Sequence, residues 1–349
     1  MKIWLDVLTP KQVLFFHPLS EELKKNHQVF STSRHYREAS LLAEKVGFDL
    51  QLVGSHGGKP LYDKLKASSE RIAALAGLMK DWMPDCAISF SSPECARVAF
   101  GLGLKHICVN DSPHAESVAR LTIPLSDLLM TPWIIPSSAW IKYGINKQKI
   151  IKYKALDPAA WLKRRKTAES AFSDIRLDSS KPTILVRLEE SHASYLQLYD
   201  RSWTRSLLDS LFFQEFNVVV LCRYDVQIEE MNKIYGSKFI IPSNVVDGAG
   251  LIDISDVFIG MGGTMTAEAA LMGVPTVSAY PGGVTYVEKY LIRQGLVAKP
   301  PSIKGVEKAV ERLLKDRRKR KWFKNKAHRI LDEMEDPIQR IICTIEERK

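Results

Sequence analysis

With 349 residues, 45% hydrophobic and 26% charged, the chain can bury two cores, and its composition is neither disordered nor fibrous. Its formal charge of +10 and pI near 9.2 favour anionic partners such as nucleotides, nucleic acid or phospholipid headgroups, without choosing among them. Five cysteines, Cys86, Cys95, Cys108, Cys222 and Cys343, include no Cys-x-x-Cys pair, so neither a zinc knuckle nor a disulfide framework is indicated and reduced thiols are expected.

The chain opens directly on a strand-like run, 2–8, with no signal-peptide apolar region. No apolar run approaches the roughly 18 residues of a membrane span, so a cytoplasmic protein is expected. Further strand-like runs at 28–32, 50–53, 86–90, 106–110 and 128–131 alternate with helical stretches at 13–25, 35–46, 62–82 and 93–102. That alternation predicts an α/β fold with a mainly parallel sheet covered by helices. Between 158 and 180 the pattern lapses into a basic, polar passage, and a new series of strands follows at 183–188, 217–222, 238–241, 257–259 and 276–279. We therefore read two doubly wound domains, 1–165 and 166–349. A closing helical stretch from 322 to 347, interrupted near Pro337, is expected to return to the first domain. Such domains bind ligands beyond the carboxyl ends of their strands, here in a cleft between the two.

The densest signal is the stretch 255–280, which reads as strand, glycine turn, short helix, tight turn and strand. Gly260, Gly262 and Gly263 permit positive φ and close backbone approach, and Thr264 is placed to cap the helix. Uncovered N–H groups at that helix start would attract phosphate. Glu268 lies one turn further on the same face, in reach of ribose hydroxyls. Read from the glycines alone, the turn serves equally well as a packing device, since its spacing is neither the dinucleotide fingerprint nor Walker A.

The segment from Asp256 to Pro275 resembles the donor-binding region of GT-B sugar-nucleotide proteins, namely nonhydrolysing UDP-N-acetylglucosamine 2-epimerases and MurG-like glycosyltransferases. Gly262, Gly263, Glu268, Gly273 and Pro275 carry that likeness. Together with the stretch 6–16, the loop 54–58, the stretch 96–103, Asn110, Asp111 and His114, it makes the whole chain resemble the family called domain of unknown function 354. The resemblance implies a GT-B-like architecture of two domains facing across a cleft, with acceptor on the first and nucleotide sugar on the second. It carries phosphate binding to Gly262, Gly263 and Thr264, and ribose binding to Glu268. The epimerases have a His-Arg-Arg-Glu-Asn type motif where this chain has Arg187-Leu-Glu-Glu-Ser-His192, a departure that counts against their usual chemistry.

Other candidates follow strands. Asp111 or His114 is a candidate base for an acceptor proton, the alternative being a helix cap and a surface histidine. Arg187 is a candidate for neutralising a departing diphosphate without a metal, or else for a salt bridge, with Arg223 a second cation and Glu190, His192 and Tyr195 nearby. Lys11 and Gln12 follow the first strand as phosphate or acceptor candidates. His56, Gly57 and Gly58 form a loop that offers backbone N–H groups or merely turns. Ser91 and Ser92 meet acceptor hydroxyls or cap a helix. The basic runs 163–166 and 315–321 are solvated surface, or hold the chain at an anionic membrane bearing a lipid-linked acceptor. No nucleic-acid motif accompanies them.

The expectation is thus a metal-independent GT-B glycosyltransferase using a nucleotide-diphosphate sugar and no further cofactor. The alternatives are a nucleotide-sugar 2-epimerase-like enzyme and a noncatalytic nucleotide-sugar or nucleic-acid binding module.

Overall fold

Short apolar runs, each followed by a turn and then a helix, assemble into two sheets in the computed structural model, which describes residues 1–58, 60–165, 175–189, 202–211, 216–244 and 246–347. The chain divides into two units, residues 1–163 with 334–349, and residues 164–333.

The first unit contains β1 (Lys2–Asp6), β2 (Gln28–His35), β3 (Gln51–Ser55), β4 (Cys86–Ser89), β5 (Lys105–Val109), β6 (Leu128–Pro132) and β7 (Ile150–Tyr153). They form one sheet in the order β3-β2-β1-β4-β5-β6-β7, with every pairing parallel. The winding reverses between β1 and β4, so this is a doubly wound sheet and its chain exits diverge there. The helices are α1 (Pro10–Leu23), α2 (Arg37–Val46), α3 (Leu61–Trp82), α4 (Pro93–Gly101), α5 (Glu116–Thr122), α6 (Ser138–Ile141) and α7 (Ala159–Leu162). Thr9 starts α1 by accepting from Gln12 N, with Pro10 in the first turn where its missing N–H costs nothing.

Trp4, Val53, Leu75, Met79, Ala87 and Cys95 belong to one apolar cluster of this unit. Within the same unit a buried ionic network pins the end of β1 to α3. Arg71 donates through Nη1 to Asp6 Oδ2 at 3.0 Å, through Nη2 to Oδ1 at 2.5 Å, and through Nε to Val53 O at 2.9 Å. Thr32 Oγ1 adds a donor to Asp6 at 2.7 Å and accepts from Trp4 Nε1 at 2.8 Å. Burial alone would raise the Asp6 carboxyl, but the Arg71 charge and these hydrogen bonds hold it below its ordinary value.

The second unit contains β8 (Thr183–Arg187), β9 (Asn217–Leu221), β10 (Val257–Gly260), β11 (Thr276–Ser278) and β12 (Val297–Ala298), in the order β12-β11-β10-β8-β9, again all parallel. Here the winding reverses between β8 and β10. Its helices are α8 (Ser202–Ser210), α9 (Asp225–Tyr235), α10 (Gly248–Ile254), α11 (Thr264–Leu271), α12 (Tyr286–Arg293), α13 (Ile303–Lys315) and α14 (Arg317–Glu333). The last helix, α15 (Pro337–Glu346), is capped by Asp336, belongs to the first unit and packs on α1 and α7.

Three strand expectations change. Residues 238–241 form only an isolated bridge between Ile240 and Val219, because Pro242 follows at once and cannot extend the ladder. The sequence reading passed over β7 and β12, of four residues and two residues.

Gly273 explains part of the glycine motif without any ligand. Its φ is +78°, and a Cβ there would lie 2.5 Å from Lys324 Cα in α14. Gly273→Ala should therefore cost about 2–4 kcal/mol in chemical denaturation, through both backbone strain and separation of α11 from α14. An unchanged denaturation midpoint would reject that packing role.

Candidate functional site

In the second unit the parallel register sets Gly260 opposite Arg187, and Met261 N donates to Arg187 O at 3.0 Å. Arg187 thus ends β8 beside the glycine turn, at the point where the winding reverses. Its Nη1 donates to Cys222 O at 2.7 Å, which draws the guanidinium toward the end of β9. Arg223 begins the next turn, its N donating to Gln227 Oε1 at 2.8 Å.

The turn needs its glycines for separate reasons. A Cβ on Gly260 would collide with Thr266. Gly262 and Gly263 adopt φ of +88° and +84°. A Cβ on Gly262 would meet the Tyr280 ring at 3.2 Å, and one on Gly263 would meet Arg223 Nη2 at 3.2 Å. Arg223 and Tyr280 therefore wall the turn directly.

The helix cap expected of Thr264 is not observed. Gly263 is the N-cap of α11 and no side chain caps it, because Thr264 is already the first helical residue. Its leading N–H groups are thus left to the turn, the arrangement that favours an anion. Glu268, one turn on, is only 4% exposed.

Tyr280 escaped the sequence reading as a site residue. Lys299 fixes it, with Nζ donating to Tyr280 O at 2.8 Å and lying 5.2 Å from the ring centroid. Lys299 is held in turn by Glu288 at 3.2 Å, whose Oε1 also accepts from Ser278 Oγ at 2.5 Å. His192, Glu190 and Tyr195 lie outside the described residues.

The first unit gathers a different set at the carboxyl edge of its sheet. Lys11, from the first turn of α1, places Nζ 2.6 Å from Asp111 Oδ2 and 2.6 Å from Asp157 Oδ2. The same ammonium lies 4.3 Å from the Phe90 ring centroid. Asp111 Oδ1 accepts from Ser112 Oγ at 2.8 Å, and Asp157 Oδ1 from Tyr153 OH at 2.5 Å. Asp111 does not cap α5, whose N-cap is Ala115.

The two carboxyl groups differ in exposure, 17% for Asp111 against 1% for Asp157. Burial would raise Asp111, but Lys11 and the surrounding hydrogen bonds bring it down to about 2. For Asp157, burial prevails, helped by the Asp111 charge and opposed by Lys11, and pushes it up to about 7. Lys11 is itself raised, its two carboxylate partners outweighing burial. His114 is exposed on the same loop, yet desolvation lowers its imidazole, with Lys11 adding to the effect and Asp111 opposing it.

The remaining first-unit candidates are engaged locally. Gln12 accepts from Leu8 N at 2.6 Å and donates to Phe90 O at 3.1 Å, spending both ends of its amide on backbone. Ser92 caps α4 through Cys95 N at 3.2 Å. Ser91 has φ of +54° and a buried hydroxyl that accepts from Asn110 Nδ2. In the loop after β3, Gly58 N donates to His56 Nδ1 at 3.1 Å and His56 stacks on Tyr36, while a Cβ on Gly57 would lie 2.5 Å from Lys64 Cα. Of the basic runs, Arg165 pairs with Asp253 at 2.7 Å, Lys319 with Asp316 at 3.2 Å and Arg320 with Asp256, whereas Arg318 and Lys321 are exposed. Among the described residues no group of three or more His, Cys, Asp or Glu is set to hold a metal ion, and no helix is long and apolar enough to cross a membrane.

The raised carboxyl fixes a pH dependence. Between the unfolded value near 4 and the folded value near 7, the folded chain keeps a proton on Asp157 that the unfolded chain releases. Wild-type stability is therefore eroded as pH rises through that window, and the whole cost is present above it. The opposite contribution of Asp111 is lost only as pH falls toward 2. Asp157→Asn should gain on wild type by of order 1–3 kcal/mol between pH 4 and pH 8 in urea denaturation. A difference that does not vary with pH would contradict this assignment.

The family described as Protein of unknown function (DUF354) matches residues 1–346. An uncharacterized protein of Methanocaldococcus jannaschii is 29% identical over 318 residues, covering 89% of this chain and 91% of the relative. Among solved structures, UDP-GlcNAc 2-epimerase of Methanocaldococcus jannaschii, in complex with UDP-GlcNAc and UDP, is similar with a TM-score of 0.73 and 16% identity. It covers 99% of this chain and 100% of that one. The spinosyn forosaminyltransferase SpnP is similar with a TM-score of 0.64 and 16% identity, over 99% and 98% of the two chains. These likenesses place both sheets in a GT-B-like fold.

Proposed function

The chain belongs to the DUF354 family, and on that premise we propose that it is an enzyme acting on a nucleotide-diphosphate sugar, a metal-independent glycosyltransferase. The observation that carries the donor reading is the glycine turn, where uncapped helical N–H groups lie beside Arg223 and Arg187 at the winding reversal. Backbone dipoles and guanidinium groups together suit a diphosphate and would balance the charge that develops as it leaves. In this reading Gly262, Gly263 and Thr264 hold phosphate, Glu268 takes ribose hydroxyls, and Tyr280 walls the site. The similarity in fold to proteins named for UDP-GlcNAc and sugar transfer supports the same substrate class.

Inverting transfer to a hydroxyl needs one base, which we assign to Asp111, with His114 as its neighbour. The second reading is 2-epimerase-like chemistry, favoured by the carboxyl pair at Lys11, since proton removal and return need both acid and base forms. Arg187-Leu-Glu-Glu-Ser-His192 in place of the epimerase motif weighs toward transfer.

Calorimetric titration with a panel of UDP, GDP and dTDP sugars tests the reading directly. At least one should bind, and Glu268→Ala should weaken it about 10- to 100-fold, the loss of charge-assisted hydrogen bonds to ribose. Binding of none by wild type would remove both enzyme readings. Isomerised sugar formed without acceptor identifies an epimerase, and acceptor-dependent nucleotide release a transferase.

We further propose that exposed Arg318 and Lys321 hold the chain at an anionic membrane surface carrying the acceptor. Sedimentation with phosphatidylglycerol vesicles should exceed that with phosphatidylcholine and fall in the double variant Arg318→Glu, Lys321→Glu. Equal recovery on both vesicle types argues for a soluble acceptor.

A further inference from the structure

The Lys11 cluster has a charge problem that points beyond a single base. A buried carboxyl group, Asp157, and a partly buried one, Asp111, share one ammonium, their Oδ2 atoms each 2.6 Å from Lys11 Nζ and so no more than twice that distance apart. Their outer oxygens are separately engaged, Asp111 Oδ1 by Ser112 Oγ and Asp157 Oδ1 by Tyr153 OH. One ammonium compensates one carboxylate, so full ionisation leaves a net buried negative charge. Asp157 Oδ2 is buried, with Lys11 Nζ at 2.6 Å as its partner. A proton on that carboxyl would remove the unmatched charge.

We propose that Asp111 and Asp157 act as one base, a carboxyl pair beneath Lys11 in which Asp111 meets the substrate and Asp157 is the positioning residue that receives the proton behind it. Alone beside Lys11, Asp111 is a weak base, because the ammonium stabilises its anion. A second anion behind it makes the doubly ionised pair much more avid for a proton. The groups facing the pair are Lys11 from α1, Ser112 and His114 from the loop after β5, and Tyr153 from β7. Desolvation lowers the His114 imidazole, which keeps it neutral at pH 7.

The chemical step rests on the transferase reading. The acceptor O–H bond breaks, its proton going to Asp111 and its electron pair to the new bond at the sugar carbon. The bond from that carbon to the diphosphate breaks with its electrons on the diphosphate oxygen. The proton then sits across Asp111 and Asp157 and is lost to water after product release.

The test needs no substrate in its first arm. Carboxyl NMR of the full chain labelled with carbon-13 aspartate should show one carboxyl step near pH 7 in wild type. That step should vanish in Asp157→Asn and fall by more than a unit in Asp111→Asn, because the like charge is gone. The second arm is turnover of whichever nucleotide sugar binds, which should rise through the same pH in wild type. In Asp157→Asn turnover should drop about 100-fold and lose that rise, with donor affinity unchanged. Absence of a wild-type step between about pH 6 and 8 overturns the pair, as does a step unmoved in Asp111→Asn. Because that arm reads protons alone, failure to turn over any nucleotide sugar would reject the functional reading and leave the pair standing. If Asp157→Asn does not fold, the Asp111→Asn spectrum decides by itself.

Discussion

A sheet whose strands all run parallel sends every chain exit to one edge, and both sheets of this protein obey that constraint throughout their described pairings. The polar residues that follow strands are thereby collected, however far apart they stand in sequence. Lys11, Asp111 and Asp157 come from the exits of β1, β5 and β7, yet one ammonium touches both carboxyl groups. Arg187, Arg223 and the glycine turn come from the exits of β8, β9 and β10 by the same logic. The reversal of winding opens room at two of those exits in each sheet.

The two collections use opposite electrostatics. In the second unit, positive potential is built from partial charges of uncapped amides and from guanidinium groups, none of which needs deprotonation to bind an anion. In the first unit, full charges are brought out of water, and the cost of one unmatched carboxylate becomes a proton affinity. The edge of β1 carries both a solved and an unsolved version of that problem. Asp6 is matched by a bidentate Arg71 and by Thr32, and its carboxyl stays ionised. In the first turn of the helix that follows, Lys11 has two carboxyl partners instead of one, and the imbalance settles on Asp157.

Much of this was legible in the chain because strand periodicity and glycine turns are local signals. The α/β class, most strand positions and the glycine turn followed from them, as did Asp111, since a polar cluster after a clear apolar strand marks an exit. What was not legible depended on elements too short or too ambiguous to read. Asp157 was missed because β7 has four residues, with Lys149 before it and Lys152 within it, and without the strand its exit had no significance. Tyr280 stood in the signal stretch, but its place beside Gly262 requires the fold of the whole turn. Thr264 illustrates the reverse error: a threonine near a helix start suggests a cap, yet the positive φ of Gly263 puts the helix boundary one residue earlier.

The glycine motif itself proves composite. Gly260 makes room for Thr266, Gly262 and Gly263 shape the turn against Tyr280 and Arg223, and Gly273 admits the backbone of α14. Only the middle pair is left for the ligand role we propose. A motif with that division of labour can persist across proteins with different reactions, because half of it is required by packing and the rest shapes a turn. A reaction is decided by groups whose protons move, and the carboxyl pair at Lys11 is the candidate we propose for that part. A single ionised carboxylate beside an ammonium would make a stable ion pair and a poor base. It is the second carboxylate, reached only through the seventh strand, that turns a structural ion pair into a group able to exchange protons near neutral pH.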